Sequence, residues 1–211
     1  MSALSTSTPR PDSAARTAAR LRHARLGAFF RPSQVEQKGI TYHELSQMVA
    51  AGHVEHVARG LYRLSEAEPT ENYSIAAACA RVPRAIVCLL SALRIHEIGT
   101  QVTRDVWLAI PRGTRTPRES GVRMRIVQFS GAALTCGVVA TEFEGVPARI
   151  TNPARTVLDC FRFQRLVGRE TAREALRDAL RQKLVTVDSL YRALKALPSE
   201  RLSRVLDATA P

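Results

Sequence analysis

RPSQVEQKGITYHELSQMVAAGHVEHVARGLYRL, residues 31–64, decides the fold of the amino-terminal part of the chain. Pro32 and Ser33 open a short helix with Glu36 three residues past the serine, a capping-box spacing, and Gly39 ends it. Thr41 and Glu44 repeat the box at once. Leu45, Met48 and Val49 then recur at i, i+3 and i+4, which turns Tyr42, His43, Ser46 and Gln47 outward on a second helix closed by Gly52. Beyond it Val54, Val57, Leu61 and Leu64 flank Arg59-Gly60, where glycine permits the positive φ of a tight hairpin. His53 and His56 fall within the first of these strands, on opposite sides, which argues against a metal pair.

Working back, SAARTAARLRHARLGAFF, residues 13–30, has helical period. Ala18, Leu21, Ala24 and Ala28 form its buried side, with Arg16, Arg20 and Arg22 toward solvent. Residues 1–12 are rich in Ser, Thr and Pro, and nothing there compensates the entropy of ordering them, so they are expected to form a disordered arm. Residues 13–65 thus read as helix, helix, turn, helix and hairpin, a winged helix-turn-helix. Such units lay their second helix in the major groove while a wing reaches the adjacent backbone. Gln47 suits adenine, His43 and Ser46 can contact bases or phosphates, and Lys38 and Arg59 can neutralise phosphate; Thr41 and Tyr42 complete the expected DNA-binding set. Winged helices also serve as protein-contact modules, but the basic flank favours DNA. One short helix reads few base pairs, so two molecules per operator are expected.

The 211 residues carry 31 Lys and Arg against 19 Asp and Glu, a net charge of +12 that favours an anionic partner. Only Lys38, Lys183 and Lys195 are lysines, so the cations are almost all arginine, which forks onto phosphates and guanine edges. Cys79, Cys88, Cys136 and Cys160 lie far apart with no C-x-x-C pair, and they read as buried, reduced thiols. No secretory signal and no membrane span is signalled, so a cytoplasmic protein without membrane partners is expected.

SEAEPTEN is an acidic linker, and residues 70–211 form a second domain. YSIAAACARV and LLSALRIHEIG read as helices around the apolar segment 85–89. DVWLAIP, VRMRIVQF, GVVATEFEG and VPARIT read as strands, with a hairpin at Glu144-Gly145. TNPARTVLDCF starts a helix with Asn152 as cap and Pro153 first, and three further helical segments follow. The fold class expected is α+β: a winged helix-turn-helix, then a mixed α and β domain with a helical tail.

With AGHVEHVARGLYRL, LSALRIHEIG, DVWLAIPRG and TNPARTVLDCF in this order, the sequence resembles the AbiEi family of bacterial antitoxins. The first stretch matches a wing ending R-G-x-Y, and the last matches a helix start of the form S/T-x-P-x-R-T-x-x-D. The resemblance implies a type IV antitoxin that represses its own operon by binding operator DNA and counters a nucleotidyltransferase-like toxin. It carries over Gly60, Tyr62, Pro153, Arg155, Thr156 and Asp159 as motif residues; read as residues alone, Arg155 and Asp159 make a surface i,i+4 ion pair. Arg112, Arg115 and Arg118, in a Pro- and Gly-containing loop between strands, are the expected contact with the toxin. The alternative is a ligand-responsive winged-helix regulator without a toxin. No catalytic or metal site and no cofactor is expected. The E-x-K triplet Glu36-Gln37-Lys38 lies in the helix-turn-helix, and Asp105, Glu142 and Glu144 read as isolated carboxylates.

Overall fold

The computed structural model describes residues 12–24, 26, 29–67, 71–116 and 122–208, in an α+β chain that divides into two compact units, Met1–Thr70 and Glu71–Pro211. The first unit runs α1 (Asp12–His23), β1 (Phe29–Phe30), α2 (Pro32–Glu36), α3 (Tyr42–Ala50), β2 (Val54–Ala58) and β3 (Leu61–Leu64). Its three strands lie in the order β1-β3-β2, all antiparallel. The expected hairpin is present, with Gly60 at φ +67° in its turn. Ala18, Leu21, Phe30, Val35, Ile40, Leu45, Met48, Val54 and Tyr62 form one core. Each large apolar side chain so enclosed contributes about 1.5–3 kcal/mol relative to exposure.

Three local expectations are corrected. The helix foreseen over residues 13–30 ends at His23, and Phe29-Phe30 is a strand paired with Arg63 and Tyr62. A two-stranded hairpin is marginal alone, and these aromatics supply a third strand while burying both rings. Ala18 and Leu21 are buried as the period requires, whereas Ala24 is half-buried and Ala28 lies outside the described residues. In α2 the cap is not Ser33: Pro32 takes the first helical position, and the Arg31 backbone N–H donates to Gln34 Oε1 at 2.7 Å. His53 precedes β2, its N–H bonded to the Met48 carbonyl at 3.0 Å. The arm expected to be disordered lies outside the described residues apart from Asp12, which opens α1.

The second unit begins with α4 (Tyr73–Arg81), β4 (Ile86–Val87) and α5 (Leu89–Ile95). Strands β5 (Val106–Pro111), β6 (Met124–Phe129), β7 (Val138–Phe143) and β8 (Val146–Thr151) follow, with a 3-10 turn at Gly131–Leu134 between β6 and β7. The chain then turns helical: α6 (Pro153–Arg162), α7 (Gln164–Val167), α8 (Arg169–Arg181), α9 (Val187–Ala196) and α10 (Glu200–Asp207). The five strands lie in the order β6-β5-β4-β8-β7, with β4 parallel to β8 and β5 parallel to β6. Asn152 caps α6 by accepting from the Arg155 backbone N–H at 2.9 Å, and Pro153 stands first in the helix. Val157, Leu158, Cys160 and Phe161 of α6 join Trp107, Phe129, Leu176, Leu190, Leu202 and Leu206 in one core. None of the described helices is long and apolar enough to cross a membrane.

Candidate nucleic-acid interface

The cap of α3 fixes the helix that presents the polar face. The Thr41 N–H donates to Glu44 Oε2 at 2.7 Å, and the Glu44 N–H donates to Thr41 Oγ1 at 3.2 Å. A third bond, Thr41 Oγ1 to Glu44 Oε2 at 2.9 Å, closes the box. The backbone bond from Thr41, then its hydroxyl, hold the Glu44 carboxyl below its usual range, with Arg20 adding to the pull. Arg20, exposed as its sequence position predicts, also ties three elements together. One of its N–H groups donates to the Gly39 carbonyl at 2.9 Å and another reaches Glu44 at 3.4 Å. It thereby joins α1 to the turn and to the cap of α3.

Behind this cap Leu45 and Met48 are fully buried, and Tyr42, His43, Ser46 and Gln47 are exposed on the opposite side. Ser46 Oγ donates to the Tyr42 carbonyl at 3.0 Å. His43 Nε2 and Gln47 Nε2 stand 3.0 Å apart. Tyr42 is 61% exposed, yet its hydroxyl bonds to that of Tyr62 on β3. Burial first, and this bond second, push the Tyr62 phenol above its ordinary range. Phe30 stacks on the Tyr62 ring at 6.3 Å and His56 meets it edge-on at 5.0 Å. The motif tyrosine of the hairpin is thus the clamp between hairpin, β1 and the start of α3.

Lys38, in the turn before α3, and Arg59, at the tip of the hairpin, are exposed. Arg63 is not: its side chain is 8% exposed, 3.6 Å from Glu55, with a further bond to the Ala67 carbonyl. Thr41 is committed to the cap and Tyr42 in part to Tyr62. Lys38, His43, Ser46, Gln47 and Arg59 therefore form the open part of the expected DNA-binding set. Sequence reasoning missed these ties of Arg20 and Arg63 because an arginine that joins two elements looks, in composition, like one that meets only solvent or a phosphate.

In the second unit the motif pair is not on the surface. Arg155 and Asp159 are 1% and 0% exposed, and Arg155 Nε donates to Asp159 Oδ2 at 2.9 Å. The other guanidinium nitrogens donate to the carbonyls of Cys136 at 2.5 Å and Ala133 at 3.1 Å, and the group lies 4.9 Å over the Phe129 ring. Arg162 reaches the other Asp159 oxygen at 3.3 Å. Burial raises the Asp159 carboxyl above its usual range, against the pull of Arg155 and then Arg162. Thr156 Oγ1 donates to the carbonyls of Asn152 and Thr151 at 2.9 and 3.0 Å. These motif residues are the scaffold that locks the 3-10 turn to α6.

Arg112 and Arg115 are exposed beyond β5, with Gly113 at φ +83° between them; Arg118 lies outside the described residues. Asp105 pairs with Arg123 at 3.1 Å, and among the described residues no three His, Cys, Asp or Glu gather as a metal site. Cys79, Cys88 and Cys160 are buried, and burial pushes the Cys79 thiol up to about 12 and the other two upward as well. Cys136, expected to be buried, is half-exposed. Against known proteins, residues 19–65 match a family described as "Transcriptional regulator, AbiEi antitoxin". No curated protein matches the chain.

Proposed function

We propose that the first unit, whose residues 19–65 match the AbiEi antitoxin and transcriptional-regulator family, binds operator DNA of its own operon. The observation that carries the reading is the exposed polar face of α3, held by a double-bonded cap over a fully apolar back. In a winged helix-turn-helix arrangement α3 enters the major groove while Lys38 and Arg59 meet the flanking phosphates. Two such modules on repeated half-sites give an operator of useful length. Replacing Arg59 with alanine should weaken all duplexes alike and lower the salt slope by about 1. Gel shifts with duplex from upstream of the coding region test the assignment. Binding that survives deletion of residues 1–65 refutes it.

The second unit we assign to neutralising a nucleotidyltransferase-like toxin in the cytoplasm, with the exposed Arg112 and Arg115 and their neighbour Arg118 as the contact. A nucleotidyltransferase metal site presents acidic groups, which a basic loop complements. Co-expression of the toxin with a fragment from residue 70 should restore growth, and alanine at the three arginines should abolish that rescue. Full protection by the triple variant removes the loop from the contact. No protection by the unaltered fragment refutes the division of labour.

A further inference from the structure

We infer that His43 holds the Gln47 amide in one orientation, so that the two residues read a single base pair as a unit: Gln47 is the specificity-determining residue and His43 its positioning residue. The inference rests on the DNA-binding reading above. Both side chains are exposed, one helical turn apart on α3 and opposite the buried Leu45 and Met48. Their Nε2 atoms are 3.0 Å apart. An amide nitrogen only donates, so this contact is a Gln47 N–H given to a neutral imidazole that carries its own proton on Nδ1. One amide hydrogen is engaged there. The second hydrogen and Oε1 remain, a donor and an acceptor side by side on the planar amide.

That pair complements adenine, which offers an acceptor at N7 and a donor at N6. Guanine offers acceptors at both N7 and O6, so the same amide mismatches one of them. Neighbouring side chains on the face are less free: the Ser46 hydroxyl donates to the Tyr42 carbonyl and the Tyr42 hydroxyl is bonded to Tyr62. Without His43 the amide turns over freely, which exchanges its donor and acceptor, and ordering it at the DNA costs about 2- to 12-fold in affinity. A lysine at this position can only donate. It draws Oε1 toward itself and fixes the amide in the reverse sense.

The test uses the full chain and a set of duplexes from upstream of its coding region, each base pair replaced in turn, with affinity read by fluorescence anisotropy. The parent should prefer adenine at one position by about 5- to 150-fold, and Gln47→Ala should erase that preference at that position alone. His43→Ala should weaken the same preference, and the double alanine variant should discriminate no less than Gln47→Ala. His43→Lys should lower adenine preference further than His43→Ala, although its charge raises affinity for every duplex; the ratio between duplexes cancels that shared gain. Unchanged discrimination in His43→Ala, or a loss at a different position from that of Gln47→Ala, overturns the pairing while leaving the DNA-binding reading intact. A parent chain that favours none of its upstream duplexes over an unrelated one overturns both.

Discussion

Replacing Arg155 with alanine should cost the second unit about 3–5 kcal/mol, because it strands a buried carboxylate. Asp159 is 0% exposed and would keep only Arg162, at 3.3 Å. The carbonyls of Cys136 and Ala133 would lose the donors now at 2.5 and 3.1 Å, and a void would open beside Phe129. An exposed i,i+4 pair would contribute only about 0–1 kcal/mol, so the experiment separates the two placements cleanly. The chain's one tryptophan, Trp107, sits in the core shared with α6, so its fluorescence reports unfolding of this unit. With a urea slope of roughly 2 kcal/mol/M, the midpoint should fall by about 2 M. Combining Arg155→Met with Asp159→Leu should recover part of the loss, since no buried charge remains, while the two carbonyls stay unpaired. A shift below about 1 kcal/mol in Arg155→Ala would refute the burial argument.

Other outcomes follow from the same contacts. Gly137→Ala should destabilise the second unit by about 1–3 kcal/mol in the same assay, since a Cβ there would stand 2.7 Å from Arg155 Cβ on a backbone at φ +63°. Asp178 accepts from the Gly99 N–H at 2.6 Å and Glu174 from Thr100 and Gln101; these bonds, Gly99 first for Asp178 and the Thr100 hydroxyl first for Glu174, hold both carboxyls below their usual range. Lowered folded-state values mean stability that is full above the ordinary carboxylate range and lost as pH falls through the folded ones. Acid titration of Asp178→Asn and Glu174→Gln should therefore show a shallower stability loss below about pH 4 than the parent. Thr41→Ala should lower the melting stability of the first unit by about 0.5–2 kcal/mol through loss of the cap, measured by circular dichroism on residues 12–67.

The element order was legible where periodicity and turn chemistry agreed. Thr41 with Glu44, Arg59 with Gly60, and Asn152 with Pro153 announced their caps and turn by local bonding alone, and each forms as read. Phe29-Phe30 was misread because a two-residue strand has no period of its own; its partners Arg63 and Tyr62 are remote in sequence. The same limit hid Arg155 and Asp159. Their spacing fits a surface pair as well as an internal one, and burial is decided by Ala133, Cys136 and Phe129, which come from a turn and a strand elsewhere. Of the candidate interface, the outward face of α3 and the Thr41 cap were readable, but the commitments of Tyr42, Arg20 and Arg63 were not. Each depends on a contact that only the folded chain brings together.

The separation of the two cores also sets an order in time. Everything that encloses the first core is complete once β3 has been made at Leu64, whereas α6 cannot bury its apolar side until Leu202 and Leu206 of α10 have been synthesised. Strand β4 likewise waits for β8, to which Val87 pairs through Ile150. At about 5–20 residues per second, the roughly 140 residues of the second unit take about 7–28 seconds to appear. During that interval a nascent chain can already hold a folded first unit while the second is still incomplete.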